Sequence, residues 1–130
     1  MTVYYLQRGD DDVVGNNTAF PEGFRMIAGD PFIRSETGKD EAPGNAVSFV
    51  CLNYAEGSSR HLSIPNKNCP EGLRAQVFFP SCWDGVNVDS PDHKSHMSYP
   101  IGNYDNGRCP SSHPVRLISI FYECVSHRFE

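Results

Sequence analysis

Val115-Arg116-Leu117-Ile118-Ser119-Ile120-Phe121-Tyr122-Glu123-Cys124-Val125 is the run that decides the fold of this 130-residue chain. It is rich in Val, Ile, Phe and Tyr, the side chains that suit a pleated surface. Successive side chains of a strand alternate, so Val115, Leu117, Ser119, Phe121 and Glu123 face one way and Arg116, Ile118, Ile120, Tyr122 and Cys124 the other. Apolar groups stand on both faces, which predicts a central strand covered on two sides.

Working outward, β-type runs recur at Val3 to Gln7, Phe24 to Ala28, Ala46 to Leu52 and Arg74 to Phe79. Between them lie turn-rich segments, Arg8 to Gly23, Asp30 to Asn45, Asn53 to Cys69 and Cys82 to Pro114, populated by Gly, Pro, Asn, Asp and Ser. The pattern predicts a mainly β single domain with sandwich-like antiparallel sheets. Its loops exceed the usual connection length, so they are functional or tied down by disulfides. There is no internal repeat, heptad, low-complexity tract or evident linker.

The formal charge is −5, and the 11 basic residues are scattered rather than gathered in a stripe, so the footprint that attracts a phosphate backbone is absent and nucleic acid is excluded as a partner. No apolar run approaches the roughly 18 residues of a membrane span, and the opening residues lack the basic and apolar regions of an export signal. Asn16-Asn17-Thr18 is an acceptor sequon for glycosylation, relevant in an exported protein.

Chemistry concentrates between Cys69 and Glu123. Pro80-Ser81-Cys82-Trp83-Asp84-Gly85 is followed by Val88-Asp89-Ser90-Pro91-Asp92-His93-Lys94-Ser95-His96. An aromatic, several carboxylates and two imidazoles crowd into one polar segment flanked by cysteines. These two motifs resemble the signature of the DUF1996 family. Phe24 to Pro31, Asn68 to Arg74 and Cys109 to Leu117 match it further, in the same order. The resemblance implies a secreted protein, of a kind found in fungi and some bacteria beside carbohydrate-binding or WSC modules, with no assigned activity. Cell-wall or environmental polysaccharide is the partner it implies, an associational warrant. The family's upstream Ser-His-Val-His and downstream Gly-Asp-x-Thr-Gly-Tyr-Gly segments are missing, and the tail from Cys124 to Glu130 departs from the pattern. Residues 1–130 therefore read as a partial domain, an internal fragment whose open strand edges favour self-association.

Five cysteines in a Gly/Pro-rich chain suit an oxidising compartment, which with the resemblance gives an extracellular location. Cys51, Cys69, Cys82 and Cys109 lie in the family-like region. Four cysteines allow three pairings. The preferred one is sequential, Cys51 with Cys69 and Cys82 with Cys109, stapling two long loops. Cys124 is left over and is expected to be a small buried residue on a strand. No pair has C-x-x-C spacing, so a zinc ribbon is unsupported.

Ser90-Pro91-Asp92 has the composition of an N-cap, a proline at N1 and an acid in the first turn, which predicts one helical turn. His93 and His96 would then share a face, with Asp92 able to orient His96. Two chemistries fit this set. In one, His93, His96 and His113 ligate a divalent metal, with Asp92 or Asp89 as ligand or support. In the other, a carboxylate pair from Asp84, Asp89 and Asp92, with His96 or His113, protonates a leaving oxygen and activates water, as in glycoside hydrolysis. The structural alternative is capping and loop hydrogen bonding, Asp84-Gly85 being a common turn dipeptide. Ser90, Ser95, Ser111 and Ser112 surround the histidines, but none sits in a Gly-x-Ser-x-Gly elbow.

Trp83, the only tryptophan, either presents its indole to a sugar ring or packs on a disulfide. Arg25 and Asp30 read as an ion pair pinning a strand end. The expectation is thus a disulfide-stapled β domain acting as a polysaccharide-directed hydrolase through an Asp/His site. A non-catalytic carbohydrate-binding module with a platform at Trp83, Tyr99 or Tyr104, or an extracellular structural module, is the alternative.

Overall fold

The computed structural model describes residues 1–9, 17–30, 32 and 44–127. Its strands are β1 (Thr2–Leu6), β2 (Val47–Cys51), β3 (Ser59–His61), β4 (Leu73–Phe78), β5 (Cys82–Trp83), β6 (Met97–Ser98), β7 (Val115–Arg116) and β8 (Ser119–Ser126). They form a five-stranded sheet of order β1-β8-β4-β2-β3 and a three-stranded sheet of order β6-β5-β7, both antiparallel. No helix occurs among the described residues. The mainly β single domain is as the periodicity predicts.

The deciding run, however, is divided between the sheets. β7 ends at Arg116, Leu117 and Ile118 intervene, and β8 continues in the larger sheet. The neighbouring strand does likewise, with Phe79-Pro80-Ser81 separating β4 from β5. Phe78 opposes Phe121 and Cys82 opposes Arg116, so two strands leave one sheet and enter the other side by side. Pro80 gives a physical reason: it has no N–H to donate to a ladder. The corner is held by Phe79 N–H to Ile120 O (2.9 Å) and Leu117 N–H to Ser81 O (2.8 Å), over the fully buried Leu117 side chain. Strands that change sheets at a bend are the usual corner of crossed β layers.

β8 is internal to its sheet, flanked by β1 and β4. On one face Phe121 stacks on Phe78 (4.3 Å between centroids) and on Tyr4 (5.6 Å), with Tyr104 closing over Phe78 (4.9 Å). Deeper on that face, buried Gln76 donates to Ser48 Oγ at 3.0 Å, and Arg60 Nε donates to the same oxygen at 3.2 Å. The other face carries the cluster of Cys51, Cys69 and Leu73 with Phe49 against it.

Both expected disulfides are present, Cys51–Cys69 with Cα atoms 5.1 Å apart and Cys82–Cys109 at 5.5 Å. Cys124 is exposed rather than buried. β1 starts at Thr2, opposite Glu123, so Cys124 has a strand neighbour, Ala75, on one side only. Phe24 to Ala28 is extended but outside both sheets, its N–H groups at Arg25 and Ile27 donating to the carbonyls of Val88 and His93. No helix of the described residues is long and apolar enough to cross a membrane. Asn16 of the sequon and Pro31 of the upstream motif lie outside the described residues.

Candidate functional site

The segment from Trp83 to His96 leaves β5, loops outward and returns in β6. Its two ends are tied by Asp84 N–H donating to His96 O at 3.0 Å. Cys82, the first residue of β5, is bonded to Cys109, which fixes the root of the loop. Two consecutive turns, closed by His93 N–H to Ser90 O (2.9 Å) and Met97 N–H to Lys94 O (2.8 Å), stand where the helical turn is predicted. The capping residue is Asp92 instead of Ser90: Asp92 Oδ1 accepts from the N–H groups of Lys94 (3.0 Å) and Ser95 (2.9 Å) and from both neighbouring serine hydroxyls. His93 has φ of 55°, the left-handed region, which ends any helix at that residue.

His96 is the buried centre of the segment, 2 % exposed. Its Nε2–H donates to the carbonyl of Arg25 at 2.7 Å, and its Nδ1 shares a 2.7 Å hydrogen bond with the Ser90 hydroxyl. Phe24 packs on its ring at 5.3 Å and meets Trp83 edge-on at 5.9 Å. Trp83 Nε1–H donates to Asn87 O at 2.7 Å. These two contacts fix the indole within the loop. The other aromatics proposed for a sugar platform are engaged as well. Tyr99 donates to Phe78 O at 2.8 Å, burial pushing its phenol up to about 12, and Tyr104 lies between Phe78 and the Arg60 guanidinium.

The carboxylates divide by environment. Partial burial acts to raise the Asp84 pKa, but hydrogen bonds from Val86 N–H, the Asn87 side chain and Asn87 N–H, with His113 nearby, outweigh it and hold Asp84 below its ordinary value. Both of its oxygens are committed to that turn. Asp92 is held far below the usual range by the N–H groups of Ser95 and Lys94 and the Ser90 hydroxyl. Asp89 is lowered chiefly by His93, whose Nδ1–H donates to Asp89 Oδ1 at 2.6 Å; Ser90 N–H and the charge of Arg25 act in the same sense.

His113 has both ring nitrogens engaged, Nε2–H with Ser95 O (3.0 Å) and Nδ1 with the Ser112 hydroxyl (2.9 Å). His96 is likewise saturated. Of the three imidazoles read as metal ligands, only His93 keeps a nitrogen without a hydrogen bond, and no group of three His, Cys, Asp or Glu side chains able to hold an ion gathers among the described residues. His93 is 48 % exposed at its side chain, with Nε2 unengaged. An imidazole fixed through Nδ1 by a carboxylate, with its other nitrogen presenting a lone pair, is the arrangement of a general base.

Phe24 and Arg25 were not legible as site residues. The predicted Arg25–Asp30 pair is not made among the described residues, and Asp30 accepts instead from Phe32 N–H at 2.9 Å. Arg25 contributes through its backbone, clamped between Val88 and His96, while its charge lies within the field of Asp89. The signal available was the Phe24-Arg25-Met26-Ile27 motif itself, read there as a strand.

Matched against protein families, residues 1–128 fit the one described as "Domain of unknown function (DUF1996)". No curated protein and no solved structure matches the chain.

Proposed function

The chain belongs to the DUF1996 family, and on that premise we propose that it is an extracellular, polysaccharide-directed hydrolase in which His93, oriented by Asp89, is the general base. The observation that carries the reading is the 2.6 Å contact between His93 Nδ1 and Asp89 Oδ1, with Nε2 left open to solvent. The two disulfides are compatible with an extracellular protein. The polysaccharide rests on the family's module partners, as an association.

The carboxylates decide which bond is favoured. Acetal cleavage at a glycosidic linkage needs a carboxylic acid that protonates the leaving oxygen. Asp84 and Asp92 are held ionised by N–H donors and are poor proton donors. Base catalysis through one imidazole suits an acyl bond instead, so the favoured substrate is an ester substituent carried by the polysaccharide. His93 Nε2 removes a proton from water as the water oxygen bonds to the ester carbonyl carbon. Asp89 stabilises the imidazolium, which returns that proton to the departing sugar oxygen as the old C–O bond breaks. Asp84, Asp92, His96 and His113 are positioning residues in this reading.

The test is incubation of the purified chain with an acylated wall polysaccharide and its de-esterified form, measuring carboxylic acid and reducing ends separately. Acid release from the acylated form alone is expected, falling roughly a hundredfold or more in His93→Ala and Asp89→Asn with melting unchanged. Release of reducing ends without acid overturns the ester assignment. Release of neither, with retention on the polymer, favours the non-catalytic binding module.

A further inference from the structure

Between the upstream segment and the larger sheet lies a cleft of about 510 Å³ that the preceding chemistry does not use. Phe79, Ile120 and Tyr122 form part of its lining at the sheet, Phe79 and Tyr122 packing at 4.9 Å, and Phe20, Phe24 and Met26 line it from the upstream segment. Phe20 and Phe24 rings are 5.3 Å apart. A volume of this size accepts a small organic ligand, and aromatic walls favour a flat ring over a flexible polar chain.

Arg25 also lines the cleft, and its guanidinium makes no hydrogen bond or ion pair among the described residues. The segment that lines the cleft is hydrogen-bonded to the loop of the dyad, Arg25 N–H to Val88 O at 2.9 Å and Ile27 N–H to His93 O at 3.1 Å, and the charge of Arg25 acts on Asp89. Phe24 lines the cleft and also packs on His96 and Trp83, at the buried base of the loop that carries the dyad.

We propose that this cleft holds the acyl part of the ester, and that this part is aromatic, a ring conjugated with the ester carbonyl. The inference rests on the hydrolase reading for its chemistry and on the cleft alone for its ligand. The ring lies against Phe20, Phe24, Phe79 and Tyr122. Arg25 faces the carbonyl oxygen as it gains negative charge and then the carboxylate of the released acid. A bare acetyl group leaves most of the cleft unfilled, so it gains little of the binding that a ring provides.

Cinnamate is the probe for the released acid and cinnamyl alcohol the matched ring without charge, followed through fluorescence of the single tryptophan, Trp83, whose ring lies 5.9 Å from Phe24. Saturable cinnamate binding is expected, with cinnamyl alcohol on the order of tenfold or more weaker. Arg25→Met should abolish that difference, and Phe20→Ala should weaken both ligands, each variant keeping the parent melting temperature to within a few degrees. Methyl cinnamate and methyl acetate are then compared as substrates, the former expected to give the higher kcat/KM. Hydrolysis of methyl acetate without cinnamate binding overturns the cleft assignment and leaves the hydrolase standing. Cinnamate binding without hydrolysis of either ester overturns the hydrolase and leaves an aromatic-acid site. Equal binding of acid and alcohol removes Arg25 from the proposal.

Discussion

His96 reaches across 71 residues of sequence to hydrogen-bond the Arg25 carbonyl, Nε2 donating at 2.7 Å from a side chain that is almost fully buried. One imidazole thereby locks the upstream extended segment onto the loop that carries the dyad. Replacing it with alanine removes the imidazole donor from the Arg25 carbonyl and one of two partners from the Ser90 hydroxyl, which keeps Asp92, and opens a void against Phe24. His96→Ala is expected to destabilise the domain by about 2–4 kcal/mol. In thermal melts this lowers Tm by roughly 10 °C. His96→Gln, which keeps a donor, should recover part of the loss; a His96→Ala variant that melts with the parent would show that the link contributes nothing.

This contact also shows where sequence reading stops. Their Val, Ile, Phe and Tyr content placed β1, β2 and β4 close to their observed bounds. Period-two alternation read Val115 to Val125 as continuous, since a corner that swaps sheets changes hydrogen-bond partners without disturbing the local pattern. β5 and β6 have two residues each, too short for any period, and Ser59-Arg60-His61 in β3 is polar because it is an edge. The site segment was legible from its density of carboxylate and imidazole. The division of labour inside it was not, because it depends on which acceptors receive backbone N–H groups: Asp92 collects two and becomes a cap, whereas Asp89 collects one, on the same Oδ1 that His93 meets.

Acid stability follows from those N–H donors. Asp84, Asp89 and Asp92 all have folded pKa values below the ordinary aspartate value, so the stability each provides is fully present above the unfolded pKa near 3.9. It is lost as pH falls through the depressed folded values. Urea unfolding is expected to give a plateau above about pH 5 and a steady decline from about pH 4 downward. Asp92→Asn removes one titrating group and should flatten that acid limb. An unchanged slope between about pH 4 and pH 2 in the variant argues against Asp92 as an ionised cap.

The disulfides provide a test of the loops. Sequence separations of 18 for Cys51–Cys69 and 27 for Cys82–Cys109 are close on a logarithmic scale. Chain entropy alone therefore assigns each bridge about 3–3.5 kcal/mol. Paired serine variants should lose similar stability, but only Cys82→Ser with Cys109→Ser frees the root of the dyad loop, so only that pair should also lose acid release in the surviving folded fraction. Thiol titration of the native parent should find one fast-reacting group, the exposed Cys124. Two or more native thiols would contradict the pairing.

β1 supplies the last expectation. Thr2 to Leu6 carries no charge, proline or bulge, and no other strand among the described residues pairs with its outer edge. Tyr5 is 69 % exposed, with Val3 and Tyr4 partly so. Uncharged edges of this kind recruit further strands, and natural sheets block them with a lysine. In a Cys124→Ser background, which removes crosslinking, light scattering behind size exclusion should show association that grows with concentration. Tyr5→Lys should restore the monomer while shifting stability by no more than about 0.5 kcal/mol, since the side chain points to solvent. Concentration-independent monomer in the background protein, or association untouched by Tyr5→Lys, removes β1 as the contact.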